Sequence, residues 1–206
     1  MSRPEWPQGW QDLYGQMLVC PRYPELVKSR TQVVPGDGPA NARLLMVGEA
    51  PGWNEDQQGL PFVGQAGQFL NSELLPSAGL GRQEVYITNV IKCRPPQNRD
   101  PLPQEVENCR PWLQAQIDRL KPKVIAIMGR HALSWFFPQE SIARLHGTSR
   151  RRDGVVYFFL YHPAAALHQP SLRQAIVEDM RRLPALLAEA EKANQARPQA
   201  EQLSLF

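Results

Sequence analysis

Apolar residues along this chain gather into four short unbroken runs, separated by longer stretches in which they recur at helical spacing. The runs cover 42–47, 85–89, 123–128 and 155–160. Most are continuous rather than alternating, the pattern of strands covered on both faces. Helical spacing predicts helices over 66–80, 105–120, 130–137 and 171–190. Pro111 should break or bend the second, and Ser171 should cap the last. Strands alternating with helices imply parallel β-α-β units. The predicted architecture is an α/β fold, a three-layer α/β/α sandwich around a central four-stranded, mostly parallel sheet. Residues 1–190 read as one domain. From 191 the composition turns to Ala, Gln and Pro, which predicts a flexible C-terminal tail over 191–206.

Composition narrows the picture only slightly. With 42% hydrophobic residues in 206, the chain can bury a sizeable core. A net charge of +3 permits a nucleic-acid partner without requiring one. Arg150-Arg151-Arg152 and Arg181-Arg182 could hold phosphates, or could be ordinary solvated surface. No run is long and apolar enough to span a bilayer, and the first residues lack the apolar stretch of a secretory signal. The expectation is a cytoplasmic protein. Three cysteines in such a chain argue against disulfides.

Chemistry concentrates at strand ends, where open α/β sheets bind their ligands. After the first run comes Gly48-Glu49-Ala50-Pro51-Gly52-Trp53-Asn54-Glu55-Asp56, then Gly59-Leu60-Pro61-Phe62-Val63-Gly64. Glycines allow close backbone approach, an aromatic ring offers a flat face for a base, and Glu55 and Asp56 could position water or stabilise a cation. Neither a dinucleotide-binding nor a Walker signature is present, and two acids would repel a phosphate. Asn89 ends the second run. Its amide can pair with a pyrimidine edge, or it can simply close a strand. His162 follows the fourth run. It could donate to an oxygen gaining charge, or merely cap the next helix.

Together these segments read GEAPG-x-x-ED-x-x-G-x-PFVG-x-AG, TN-x-x-KCRPP-x-NR-x-P, IAIMGR-x-A and YHPAA. The combination closely resembles the family 4 uracil-DNA glycosylases, the iron–sulfur type, from about Cys20 to the last long helix. The resemblance implies a repair hydrolase that flips uracil out of DNA and cleaves its glycosidic bond by water. It implies uracil binding by Glu49, Ala50, Phe62, Asn89 and His162, and catalytic roles for Glu55, Asn89 and His162. By the resemblance the segment after His162 would enter the duplex with Leu167 as its wedge, the alternative being that Leu167 packs under the last helix; Arg173 and the run from Arg150 to Arg152 are candidate phosphate contacts. A related branch captures DNA through a histidine after the second motif. Residues 92–100 contain none, so turnover is expected.

Family members hold a 4Fe–4S cluster on four cysteines. Cys20, Cys93 and Cys109 match three of them, and Tyr23 stands where the fourth should be. Three outcomes stay open: a cluster completed by Tyr23 or another ligand, a three-iron cluster, or no cluster. The terminal Gln202-Leu203-Ser204-Leu205-Phe206 resembles the peptide that binds the bacterial sliding clamp, with Gln202, Leu203, Leu205 and Phe206 as its anchors. The protein is expected to act as a monomer on uracil-containing DNA. Another deaminated base, or a non-catalytic module of the same fold, are the alternatives.

Overall fold

A computed structural model of the chain describes residues 6–203, and side chains as far as residue 193. The four apolar runs become β1 (Leu44–Gly48), β2 (Val85–Asn89), β3 (Val124–Met128) and β5 (Val155–Leu160), all mutually parallel. A fifth strand, β4 (Ser149–Arg152), pairs antiparallel with β5 and completes the order β2-β1-β3-β5-β4. The expected four-stranded sheet is thus five-stranded. The arginine run forms an edge strand because Asp153 (φ 51°) and Gly154 (φ 81°) turn the chain back on itself. Two consecutive left-handed residues are what a two-residue hairpin requires.

Helices cover both faces. Before β1 lie α1 (Gln8–Leu18) and α2 (Pro24–Ser29). After it come α3 (Trp53–Gln58) and α4 (Gln65–Phe69), which continues through a π turn (Leu70–Leu74) into α5 (Leu75–Ser77). Next follow α6 (Pro103–Leu120), α7 (Arg130–Phe136), α8 (Ile142–Leu145), α9 (Pro163–His168), α10 (Leu172–Met180) and α11 (Leu183–Leu203). Leu45, Val47, Ile125, Ile127 and Phe159 point to one face, against Leu13 of α1, Leu113 of α6 and Leu133 of α7. Leu44, Met46, Ala126, Phe158 and Leu160 point to the other, against Leu70, Leu75, Ile176 and Leu187. This is the three-layer sandwich. Alternate residues of the parallel strands serve opposite cores, so those strands are apolar at most positions.

Four expectations about the helices change. Pro111 does not break α6. It sits on the exposed side, where solvent can satisfy the freed carbonyl, while Cys109, Leu113, Gln116 and Leu120 anchor the buried side. The stretch 171–190 is two helices, because Pro184 has no N–H to bond back across residues 181–182. Ser171 adopts helical angles and makes no side-chain cap. α11 runs on to Leu203, into the segment expected as a tail; its Ala, Glu, Lys and Gln favour helix. Among the described residues no helix is long and apolar enough to cross a membrane.

Candidate active site

Beyond the carboxyl ends of β1, β2 and β5 lies a cavity of about 370 Å³. Ala50, Glu55, Phe62, Asn89 and His162, all singled out in the sequence, line it together. Gly48 lets them converge: a Cβ there would come within 2.5 Å of the Asn89 Oδ1 and 2.6 Å of the Phe62 ring. Phe62 takes a left-handed φ of 56°, rare for a bulky residue. It is held there from behind. Asn71 Nδ2 in the π turn donates to its carbonyl (3.2 Å), and Gly67 packs so closely that a Cβ would sit 1.9 Å from that oxygen. The Phe62 and His162 rings lie 5.6 Å apart at 33°.

Asn89 is 2% exposed, and its Oδ1 has no hydrogen-bond partner. An orphaned buried acceptor costs about 1–3 kcal/mol, so its natural reading is a group kept free for a ligand. The backbone beneath it is fixed by Lys92, whose Nζ donates to Asn89 O (2.6 Å), Thr88 Oγ1 (2.6 Å) and Gln116 Oε1 (2.7 Å). Gln116 Nε2 in turn donates to the Tyr86 hydroxyl and to Pro35 O.

His162 is the N-cap of α9, and its Nδ1 accepts from Ala164 N–H at 3.2 Å. With Nδ1 occupied as an acceptor, the neutral ring carries its proton on Nε2. Burial, reinforced by repulsion from His131, lowers the imidazole to about 4, so the ring is neutral at pH 7. Cap and donor use different nitrogens. The two roles read from the sequence are therefore compatible.

Glu55 is less free than its motif suggests. Its Oε1 accepts from Val63 N–H (2.9 Å) and Gly64 N–H (2.7 Å), and its Oε2 from Gly52 N–H (3.1 Å). The carboxylate latches two loops of the cavity wall. Glu49 does not line the cavity. Its carboxylate lies 3.8 Å from His131 Nε2, and burial raises its pKa above the usual range. Glu49, Asp100 and His131 could together offer ligands to a metal ion. Arg130 already fills that role with its guanidinium, donating to Asp100 (2.5 Å) and to His131 Nε2 (3.0 Å). His131 occupies the unspecified position of the third motif, so that motif gave no hint of its role.

The expected DNA contacts lie on three different elements. Leu167, on α9, is 41% exposed. Arg173 is ion-paired with Glu73 and lies over the Phe69 ring. Arg150 pairs with Glu140 at 2.6 Å and lies on the edge strand over Phe137 and Phe159. Sequence reasoning missed Asn54, Gln65 and Asn98, which line the cavity, and gave Trp53 there no specific role. The side chains of Gln202 and Leu203, and Leu205 and Phe206 entirely, lie outside the described residues.

Cys20, Cys93 and Cys109 are buried and line a second, small cavity together with Tyr23, Arg30 and Asn108. Each sulfur accepts a hydrogen bond: Cys20 from Trp112 Nε1 (3.3 Å), Cys93 from Arg30 Nη1 (3.1 Å) and Cys109 from the Lys92 N–H. Burial pushes the Cys109 thiol up to about 11 and raises Cys93 as well. Three N–H donors aimed at three sulfurs suit thiolates, which here need a cation to form.

Residues 35–182 match the sequence profile of the uracil DNA glycosylase superfamily. The chain is similar to the type-4 uracil-DNA glycosylase of Sulfurisphaera tokodaii, with 43% identity over 82% of this chain and 80% of that protein. It is also similar to the type-4 enzymes of Archaeoglobus fulgidus (42% identity, 84% and 90% covered) and Thermotoga maritima (42%, 79% and 84%).

Proposed function

The chain belongs to the uracil DNA glycosylase superfamily and to its type-4 branch, and on that basis we propose that it excises uracil from DNA, leaving an abasic site for repair. The observation that carries this reading is the unpartnered Asn89 Oδ1 on the wall it shares with Phe62 and His162. Uracil has an N3–H to give that oxygen and an O4 to take the amide N–H. Cytosine has no proton at N3 and an amine in place of O4, so both contacts fail. Phe62 stacks on the flipped base, with Ala50 beside it.

Breaking the glycosidic bond builds negative charge on the uracil oxygens and cationic character on the sugar. The Nε2–H of neutral His162 donates to O2 as that charge grows. An imidazole that stays neutral until about pH 4 is a fixed dipole, and it needs no proton transfer to work. Glu55 sets the shape of the cavity through its three backbone bonds, and its negative charge favours the cationic sugar. Water is the final nucleophile.

Three buried cysteines with N–H donors on their sulfurs suit an iron–sulfur cluster, which Cys20, Cys93 and Cys109 would hold. Tyr23, which lines the same cavity and stands where the fourth cysteine is missing, would be the candidate fourth ligand. The cluster's contribution is structural, tying the segment around Cys20 to the loop after β2. Leu167 is exposed enough to fill the vacated stack. Arg173 and Arg150 would exchange their carboxylate partners for phosphates. Gln202, Leu203, Leu205 and Phe206 recruit the monomer to the sliding clamp.

The test is release of free uracil from a uracil-containing oligonucleotide, with Asn89→Ala as control and iron quantified in both proteins. Release by the parent and none by the variant supports the reading. No release from folded, iron-loaded parent overturns it. Deleting 202–206 should abolish clamp binding and leave release from a short oligonucleotide intact.

A further inference from the structure

The cavity has two parts of different chemistry. Asn89, Phe62 and His162 form its inner wall, and they suffice for one pyrimidine. Trp53, Asn54, Gln65 and Asn98 also line it, and the function above uses none of them. Trp53 is 55% exposed. Of the large apolar side chains exposed among the described residues, it is the one that lines this cavity.

The indole is also firmly based. Trp53 is the first residue of α3, and two carboxylates pin the following turn. Glu55 holds Gly52, Val63 and Gly64 by their N–H groups. Asp56 is fully buried, and each of its oxygens accepts from Thr31 N–H at 2.9 Å. α3 therefore cannot rotate to bury the ring without breaking these bonds. A flat apolar face is held out toward solvent at the entrance to a base-binding cavity.

The lining includes no Lys or Arg, and its one charged side chain is the Glu55 carboxylate. This part of the cavity therefore repels phosphate. The amides of Asn54, Gln65 and Asn98 can donate and accept, which suits the edge of a nucleobase. An aromatic face accepts any base, because every base has a π surface.

We propose that Trp53 is the stacking platform of a second nucleobase subsite, which takes the base next to the extruded uracil on the same strand. The proposal rests on the glycosylase reading and extends it. The enzyme would grip two successive nucleotides, one read by hydrogen bonds and its neighbour held by stacking without regard to sequence. Such a grip works equally on single strands, because it needs no opposing base.

The experiment compares the parent, Trp53→Ala and Trp53→Phe on three single-stranded oligonucleotides. In the first, uracil has a base on each side. In the others a stable abasic analogue replaces the 5′ or the 3′ neighbour. On the first substrate Trp53→Ala should raise KM about tenfold, in line with one lost base–aromatic stack, with kcat changed less than twofold. Trp53→Phe should recover most of the loss. One of the two abasic substrates should impose the same KM penalty on the parent and add nothing further to Trp53→Ala. Thermal melting of Trp53→Ala should match the parent, since the ring is exposed. A KM for Trp53→Ala within twofold of the parent overturns the proposal. So does a Trp53→Ala defect that persists on both abasic substrates, for the ring would then not be meeting a neighbouring base. Absence of uracil release by the parent on every substrate is a different result, and it overturns the glycosylase reading itself.

Discussion

His162 makes the most quantitative prediction. Its Nδ1 is tied to Ala164 N–H, and its pKa sits near 4 rather than 6.5, mainly through burial. That gap corresponds to about 3 kcal/mol against charging the ring in place. Protonation would also put a second N–H against the Ala164 donor and undo the cap of α9. Between about pH 6.5 and pH 4 the unfolded chain binds this proton and the folded chain does not. The stabilisation is therefore complete above 6.5, falls as pH drops through the window, and is lost below about 4. On the His162 limb, single-turnover uracil release should stay level from pH 8 to about 5 and fall only as pH approaches 4. His162→Phe, which removes the donor, should lower the rate by about 10² to 10³ at pH 7, the usual effect of losing one such donor. His162→Asn should retain part of the rate. Rates measured from pH 4 to pH 8 on the parent and both variants check this. An inflection near 6.5 that disappears in His162→Asn would refute the argument, because it would mean the ring titrates as if in water.

Three further outcomes follow from the packing. Asn89→Ala should abolish detectable uracil release while leaving the melting temperature unchanged or slightly raised, since it removes a buried acceptor that already lacks a partner; calorimetry beside the activity assay checks both. Gly67→Ala should destabilise the fold by about 2 kcal/mol or more in urea titration and abolish uracil release, because the new methyl would overlap the Phe62 backbone. Lys92→Met should leave Asn89 O, Thr88 Oγ1 and Gln116 Oε1 without their shared donor. The net cost should be about 2–3 kcal/mol, since relief of a buried charge offsets part of three lost bonds. Urea titration measures that cost, and kcat should fall more than KM if the loop under Asn89 shifts.

The sequence was most informative where one signal dominated. The parallel strands are almost wholly apolar because both of their faces are buried, Thr88 being the polar exception within them, and each ends in or leads into glycine or polar residues. Strand ends marked where to look, the family resemblance grouped Ala50, Glu55, Phe62, Asn89 and His162, and the structure has all five lining one cavity. β4 was not, because Ser149–Arg152 contains no apolar residue. Its position depends on the Asp153-Gly154 turn and on Arg152 lying over Phe137 and Tyr157 at 4.9 Å, interactions between distant parts of the chain. The division at Pro184 was masked by helical spacing that continues across it. The motif positions also gave no account of how their residues are used. Glu55 serves as a backbone latch, Glu49 lies beside His131 rather than in the cavity lining, and His131 was invisible at a position the motif leaves open.

The strand order has a consequence for when the protein acquires activity. Asn89 ends β2 and His162 follows β5 as the cap of α9, with β1 and β3 between the two strands, and Phe62 comes from a loop after β1. A contiguous fragment must run at least from Ala50 to His162 to contain the site. β5 lies late in the chain, and it must insert between β3 and β4 before His162 reaches its place. Parallel pairing between segments so far apart in sequence is intrinsically slow to form. A nascent or partly unfolded chain therefore lacks its electrophile even when Asn89 is already in place. Recovery of uracil release during refolding should therefore report the docking of the last core strand.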